Sequence, residues 1–305
     1  MKGILLLLLF TLSCFSYAEQ GKIYISYPDD KASYKDIANT IEEKLGKNKV
    51  VKGQNFSIET HKSSTIKERI NTKKSLVIQL GNDEKRLTQE GILNQPIIHI
   101  FSTLQNHETL KKERRQNNFI SIVLDQPLQI IINKASKTVK NNYKNKIIIS
   151  VSESNTGILD QISDLKPLDK GEIIVVKIKD DEVAAKAIEK HLFNAAALVA
   201  IRDDHVWSRK NASWMLRQAY NYQVPVIGYS QAFLKAGAMI SIYSSNEDII
   251  TQTIKSTEQW IRTQELQRES VIYPKHTLKV NKNIAAALKF NPDTLEEKKE
   301  AENDI

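Results

Sequence analysis

The sequence predicts an α/β protein of two lobes, each built on a mostly parallel sheet. Three observations lead there. Short apolar runs rich in Ile and Val alternate with segments of helical period, the pattern of βαβ units. The runs are continuously apolar rather than alternating, as strands are when helices cover both faces of their sheet. The alternation comes in two series, before and after about residue 140, and the polar Asn- and Lys-rich stretch 134–146 between them suits a crossing between domains.

The elements follow in order. Residues 22–26 (KIYIS) read as the first strand. Tyr34, Ile37, Ala38, Ile41 and Leu45 then recur at i, i+3, i+4, i+7 and i+11 and mark one helix face. Strands are expected at 75–80 (SLVIQL), 96–101 (PIIHIF) and 119–124 (FISIVL). The second series opens with 146–151 (KIIISV) and 172–178 (EIIVVKI), followed by a helix carrying Val183, Ala187, Ile188 and Leu192. A strand at 195–201 (AAALVAI) comes next. Trp207 leads into a helix with Ala212, Met215, Leu216, Ala219 and Tyr220 on one side, and 224–229 (VPVIGY) is a strand again. Residues 291–305 are dominated by Glu, Lys, Asn and Asp and are expected to be disordered.

The N-terminus reads as an export signal. Lys2 precedes an apolar run at 4–12, shorter than the roughly 20 residues that cross a bilayer but of the length of a signal-peptide core. Ser16-Tyr17-Ala18 supplies small residues at the first and third positions before Glu19, so cleavage is expected after Ala18 and residues 1–18 form the leader. Lipid modification of Cys14 is the alternative, but Leu12 sits one position too late for a good lipobox. Cys14 is the only cysteine, and its removal leaves no disulfide, thiolate nucleophile or Cys-ligated metal. The expected destination is a bacterial periplasm.

The formal net charge is +8. The basic runs, Lys111-Lys112 with Arg114-Arg115 and the stretch 140–146, are short and broken by Asn and Gln, which describes a solvated surface and not a nucleic-acid interface.

Catalytic constellations are missing from the sequence pattern. None of the six histidines forms an H-x-H or H-E-x-x-H pair, and there is no G-x-S-x-G elbow, no phosphate-binding G-x-x-x-x-G-K-[ST] loop and no G-x-G-x-x-G after the first strand. No catalytic residue, metal ligand or cofactor is assigned. Open α/β sheets take ligands at the carboxyl ends of their strands. Those ends offer Tyr27, Ser102, Thr103, Ser152, Glu153, Asp203, Asp204, Ser230 and Gln231, with Phe101, Arg202, His205 and Tyr229 beside them. Hydroxyls, carboxylates and aromatic rings suit a small polar or aromatic molecule. Strand ends are also polar simply because loops are solvated, and one of Asp203 and Asp204 can cap the helix near Trp207.

The second half resembles a known family. The strand and turn from Phe193 through Arg202-Asp203-Asp204-His205-Val206-Trp207 resemble the "D-A-L-V … D-x-x-V" segment of bacterial ABC-transporter substrate-binding proteins of the tryptophan or aromatic amino-acid type. Val224-Pro225-Val226-Ile227-Gly228 continues the resemblance, as do Phe233-Leu234-Lys235-Ala236-Gly237-Ala238 and Tyr243-Ser244-Ser245 with Glu247-Asp248. Leu278-Lys279-Val280-Asn281 with Ala285-Ala286-Ala287-Leu288 is similar to the family's close, so the match spans roughly 193–290. In the first half, Ser102-Thr103-Leu104-Gln105 stands where the family has an aspartate-proline turn, and Ile120-Ser121-Ile122-Val123 replaces its Gly-rich "N-I-T-G" stretch. The family's ligand positions carried over are therefore Asp203, Asp204, Ser230 and Gln231.

The resemblance implies a type I periplasmic-binding-protein architecture: two Rossmann-like lobes joined by crossing segments, with a ligand closed between them. It implies lobe 1 at 19–134 plus about 244–268 and lobe 2 at 135–243 plus about 269–290, with the final strand near 277–281 rejoining the second lobe. The function implied is the solute-binding component of an ABC importer, a monomer that delivers a small-molecule ligand to an inner-membrane permease. An extracytoplasmic sensing module that reports to a membrane sensor protein is the alternative. An exported hydrolase comes last, for want of a nucleophile or metal constellation.

Overall fold

The computed structural model describes residues 20–70, 74–81, 94–113, 118–139 and 144–296. The expected leader and the end of the tail, 297–305, lie outside the described residues.

The first lobe begins with β1 (Gly21–Tyr27), α1 (Ala32–Lys47), α2 (Lys49–Gly53), β2 (Phe56–Lys62) and α3 (Ile66–Arg69). It continues with β3 (Ser75–Leu80), β4 (Ile97–Ser102), α4 (Leu104–Glu113) and β5 (Phe119–Val123). The second lobe contains α5 (Leu128–Ser136), β6 (Lys146–Ser152), α6 (Thr156–Ser163), β7 (Glu172–Ile178), α7 (Ala184–Glu189) and, after a 3-10 turn at Leu192–Asn194, β8 (Ala195–Val199). Then come α8 (Arg209–Asn221), β9 (Val226–Gly228), α9 (Gln231–Ala236) and β10 (Ile240–Tyr243). The chain ends with α10 (Asn246–Thr263), β11 (Val271–Ile272), β12 (Thr277–Val280), α11 (Lys282–Ala287) and α12 (Pro292–Leu295).

Two six-stranded sheets result, ordered β11-β5-β4-β3-β1-β2 and β12-β10-β9-β8-β6-β7. Every pairing is parallel except β10 with β12. Each sheet reverses its winding between its first and third strands, β1/β3 in one lobe and β6/β8 in the other. That is the topological switch point at which α/β sheets bind ligands.

Apolar faces decide which lobe owns each segment. Leu128, Ile131, Ile132 and Ala135 of α5 bury in one cluster with Ile147, Ala197 and Ile227, so α5 belongs to the second lobe. The first crossing is thus 124–127, and the polar stretch from 134 does not make it. Asp248 and Ser245 form a capping box that starts α10, whose Ile249, Ile250, Trp260 and Ile261 bury against Ile41, Leu45 and Phe56 of the first lobe. β11 pairs with β5 and also belongs there, which moves the last crossing from near 268 to 273–276. The segment from Asn291 is ordered at its start. Asn291 accepts from the backbone N–H of Asp293, and Leu295 packs in the second lobe's core. A tail poor in apolar residues still docks through Leu295.

The three crossings meet. Gln126 Nε2 donates to Ser244 Oγ at 2.8 Å, and Ser244 Oγ donates to the Pro274 carbonyl at 3.3 Å. Gln161 of α6 adds a donation to Tyr273 Oη at 3.1 Å.

Candidate functional site

At the second lobe's switch point, β6 and β8 are tied together by one carboxylate. Asp203 Oδ2 accepts from the backbone N–H and the hydroxyl of Ser152 at 2.8 and 2.7 Å and from Asn155 Nδ2 at 3.3 Å. Its Oδ1 accepts from the Val206 N–H at 3.0 Å. Asp203 and Ser152 are both buried, so the arrangement satisfies two loop N–H groups that water cannot reach.

Holding that loop fixes the residue before it. Arg202 is half-buried, with its Cζ 4.8 Å from the centre of the Tyr229 ring and its Nη2 donating to the Tyr229 carbonyl at 3.3 Å. Tyr229 packs on Phe233 at 4.5 Å between ring centres, and Phe233 meets Trp207 edge-on at 5.6 Å. The guanidinium therefore rests on a backed aromatic platform, a favourable cation–π geometry.

The first lobe's strand ends carry aromatic and acidic residues of their own. Tyr34, at the start of α1, packs edge-on against Phe101 at 6.0 Å. Phe101 sits at the end of β4 with φ at 54°, beside a register shift between Ile100 and Ser102. A left-handed aromatic residue at a strand end is costly backbone, the kind that marks a functional position. Gly81 closes β3 at φ 72°, and a Cβ there would stand 3.1 Å from the Tyr34 ring. Asp125, just past β5, is buried and accepts from the Leu104 N–H at 2.8 Å, capping α4 from outside the helix.

Charge crosses between the lobes. Burial raises the pKa of Tyr34 and of Asp125, and in both the Arg202 charge opposes it. Tyr229 is likewise raised by burial, opposed by Arg202 and reinforced by Asp204, Asp125 and Asp203. Burial, with Asp125 and Glu108, pushes Tyr273 to about 12. The Arg202 charge thus acts on Tyr34, which follows β1, and on Asp125, which follows β5.

The residues chosen from the sequence fall in different settings. Ser152 and Asp203 come together, but as a loop clamp. Tyr27 is buried in the first lobe's core, and Ser102 is buried with its hydroxyl in a long donation to the Thr103 carbonyl at 3.4 Å. Thr103 Oγ1 accepts from Asn106 N–H at 3.2 Å and Ser230 Oγ from Phe233 N–H at 3.3 Å, both at helix starts. Glu153, Asp204 and Gln231 are exposed. Tyr34 and Asp125 were missed. Asp125 directly follows the FISIVL run, so inspection of that strand end would have found it.

No protein-family model matches the chain, and no curated protein matches it. Solved structures do share its fold. A ligand-free, open substrate-binding protein with adhesive properties from Clostridium difficile is similar at a TM-score of 0.61 and 15% identity, over 93% of this chain and 97% of that one. An ABC domain in complex with L-Trp from Streptococcus pneumoniae is similar at 0.55 and 15%, over 90% and 97%. A periplasmic ribose ABC transporter protein from Conexibacter woesei is similar at 0.52 and 10%, over 92% and 98%. The two parallel-sheet α/β lobes are those of the type I periplasmic-binding-protein fold.

Proposed function

We propose that this protein is an exported solute-binding protein of an ABC-type importer that closes its two lobes on a small polar or aromatic molecule. One observation carries the reading. Arg202 stacks on Tyr229 at the second lobe's switch point, its charge acts on Tyr34 and Asp125 at the first lobe's strand ends, and hydrogen-bonded crossings join the two lobes. Such a site binds and releases by hinge closure, and it holds no assembled nucleophile and base. The solved structures of like fold named above are binding proteins and transporter components, which supports the same reading.

In this reading residues 1–18 direct export to the periplasm, and the mature chain works as a monomer that presents its closed form to an inner-membrane permease. Glu153, Asp204 and Gln231 form the exposed rim, within reach of a ligand's polar groups. Tyr34, Phe101, Arg202 and Tyr229 make the floor. No bond is broken.

A thermal-shift screen of the purified protein against amino acids, nucleosides, sugars and small organic acids tests this. A ligand at 100 times its Kd stabilises the fold by about 2.7 kcal/mol, several degrees in Tm. A shift confined to one chemical class, together with lost uptake of that class in a deletion strain, is the expected result. A shift with normal uptake would move the protein to the sensing role, and no shift across the panel would overturn solute binding.

A further inference from the structure

Arg202 has a charge to place. Among the described residues it makes no ion pair, and its Nε is buried without a partner. Among the described residues, the one hydrogen bond of its guanidinium is the long donation to the Tyr229 carbonyl. Two neighbouring carboxylates are engaged elsewhere: Asp203 in the loop clamp, Asp125 on the Leu104 N–H. A half-buried guanidinium with an unpaired buried N–H costs stability unless an anion completes it. The Tyr229 ring under its face leaves the planar edge, with its parallel N–H donors, as the way in.

We infer that Arg202 anchors the ligand, and that the ligand is a small carboxylate whose anionic group lies on the guanidinium edge while its apolar part meets Tyr34 and Phe101. This rests on the solute-binding reading and names the solute class. A carboxylate suits a guanidinium whose face is taken up by the Tyr229 ring and whose edge is left to pair. Planar, two-pronged pairing with a guanidinium is also what a carboxylate offers.

The test compares matched acid and amide probes on the full protein: benzoate against benzamide, L-tryptophan against L-tryptophanamide, with pyruvate, inorganic phosphate and ribose alongside. Binding is read by thermal shift and calorimetry. One or more carboxylates should stabilise the wild type while their amides do not, and Arg202→Gln should weaken that binding by about 30-fold or more. Ligand-free melting separates this from misfolding. Should the Gln variant fail to fold, Arg202→Lys keeps the charge without the fork and should bind the same carboxylate more weakly at an unchanged ligand-free Tm. Ribose or an amide binding wild type and Arg202→Gln alike would overturn the anchoring role and leave solute binding standing. Phosphate binding more tightly than every carboxylate would overturn the ligand class. If no probe binds, the carboxylate assignment fails, and a blank across the broader screen takes the solute-binding reading with it.

Discussion

Asp203 shows how one carboxylate can be spent on architecture. Its two oxygens hold the Ser152 N–H and hydroxyl, Asn155 and the Val206 N–H in a loop shut off from water. Asp203→Ala would leave two buried N–H groups unpaired, and the expected loss is on the order of 3 kcal/mol, read from urea unfolding. Asp203→Asn keeps one acceptor and should lose less. Equal, small losses in both would mean the clamp is dispensable. The acid was legible in the sequence as a strand-end residue, but its partner stands fifty-one positions earlier. Burial that depends on so distant a residue leaves no local pattern. Arg202 was legible in the same way, whereas its freedom from ion pairs emerges only when both lobes are assembled.

At the scale of elements, the long apolar strands and the α1 and α8 faces follow from periodicity alone, because burial on both sides of a sheet forces continuous apolar runs. Tyr220 is the exception on α8: it is 42% exposed, since the helix buries Ala212, Met215, Leu216 and Ala219 instead. β2 (FSIETHK) escaped because an edge strand, half-exposed, needs no such run. β11 is two residues long and exists through pairing with β5, which no composition encodes. β9 carries a sharper constraint. A Cβ at Gly228 would stand 2.6 Å from Phe233 Cβ and 2.9 Å from Ser241 Oγ. Gly228→Ala should therefore cost about 1–3 kcal/mol by overpacking. It should also push Phe233 against Tyr229 and weaken ligand binding at Arg202. A variant with wild-type melting and affinity would show that β9 and α9 have slack the packing does not suggest.

For the molecule as a whole, pH acts through the first lobe. His99 is buried with its Nε2–H donating to the Gly81 carbonyl at 2.7 Å and its Nδ1 unpartnered. His107 is buried with Nδ1 on Ser121 Oγ at 2.9 Å and its Nε2 unpartnered. Burial lowers both to about 4, from an ordinary 6.5 in the unfolded chain. The unfolded state therefore takes up protons first as pH falls. The stability that neutral burial contributes is intact above pH 6.5 and is lost progressively down to about 4. Each histidine removes about 1.4 kcal/mol per pH unit across that window. The urea midpoint should drop clearly between pH 7 and pH 5, and equal midpoints would show that these rings are protonated or solvated in the folded lobe.

The interleaving of the lobes has a consequence in time. A chain made from its N-terminus exposes β1 through β5 long before α10 and β11 exist to cover and extend their sheet, and β12 completes the other sheet only a few residues after β11. Neither lobe can reach its final form until nearly the whole polypeptide is available. The nascent chain spends most of its synthesis with an open sheet edge and an uncovered apolar face, the condition in which chaperones bind and misassembly begins.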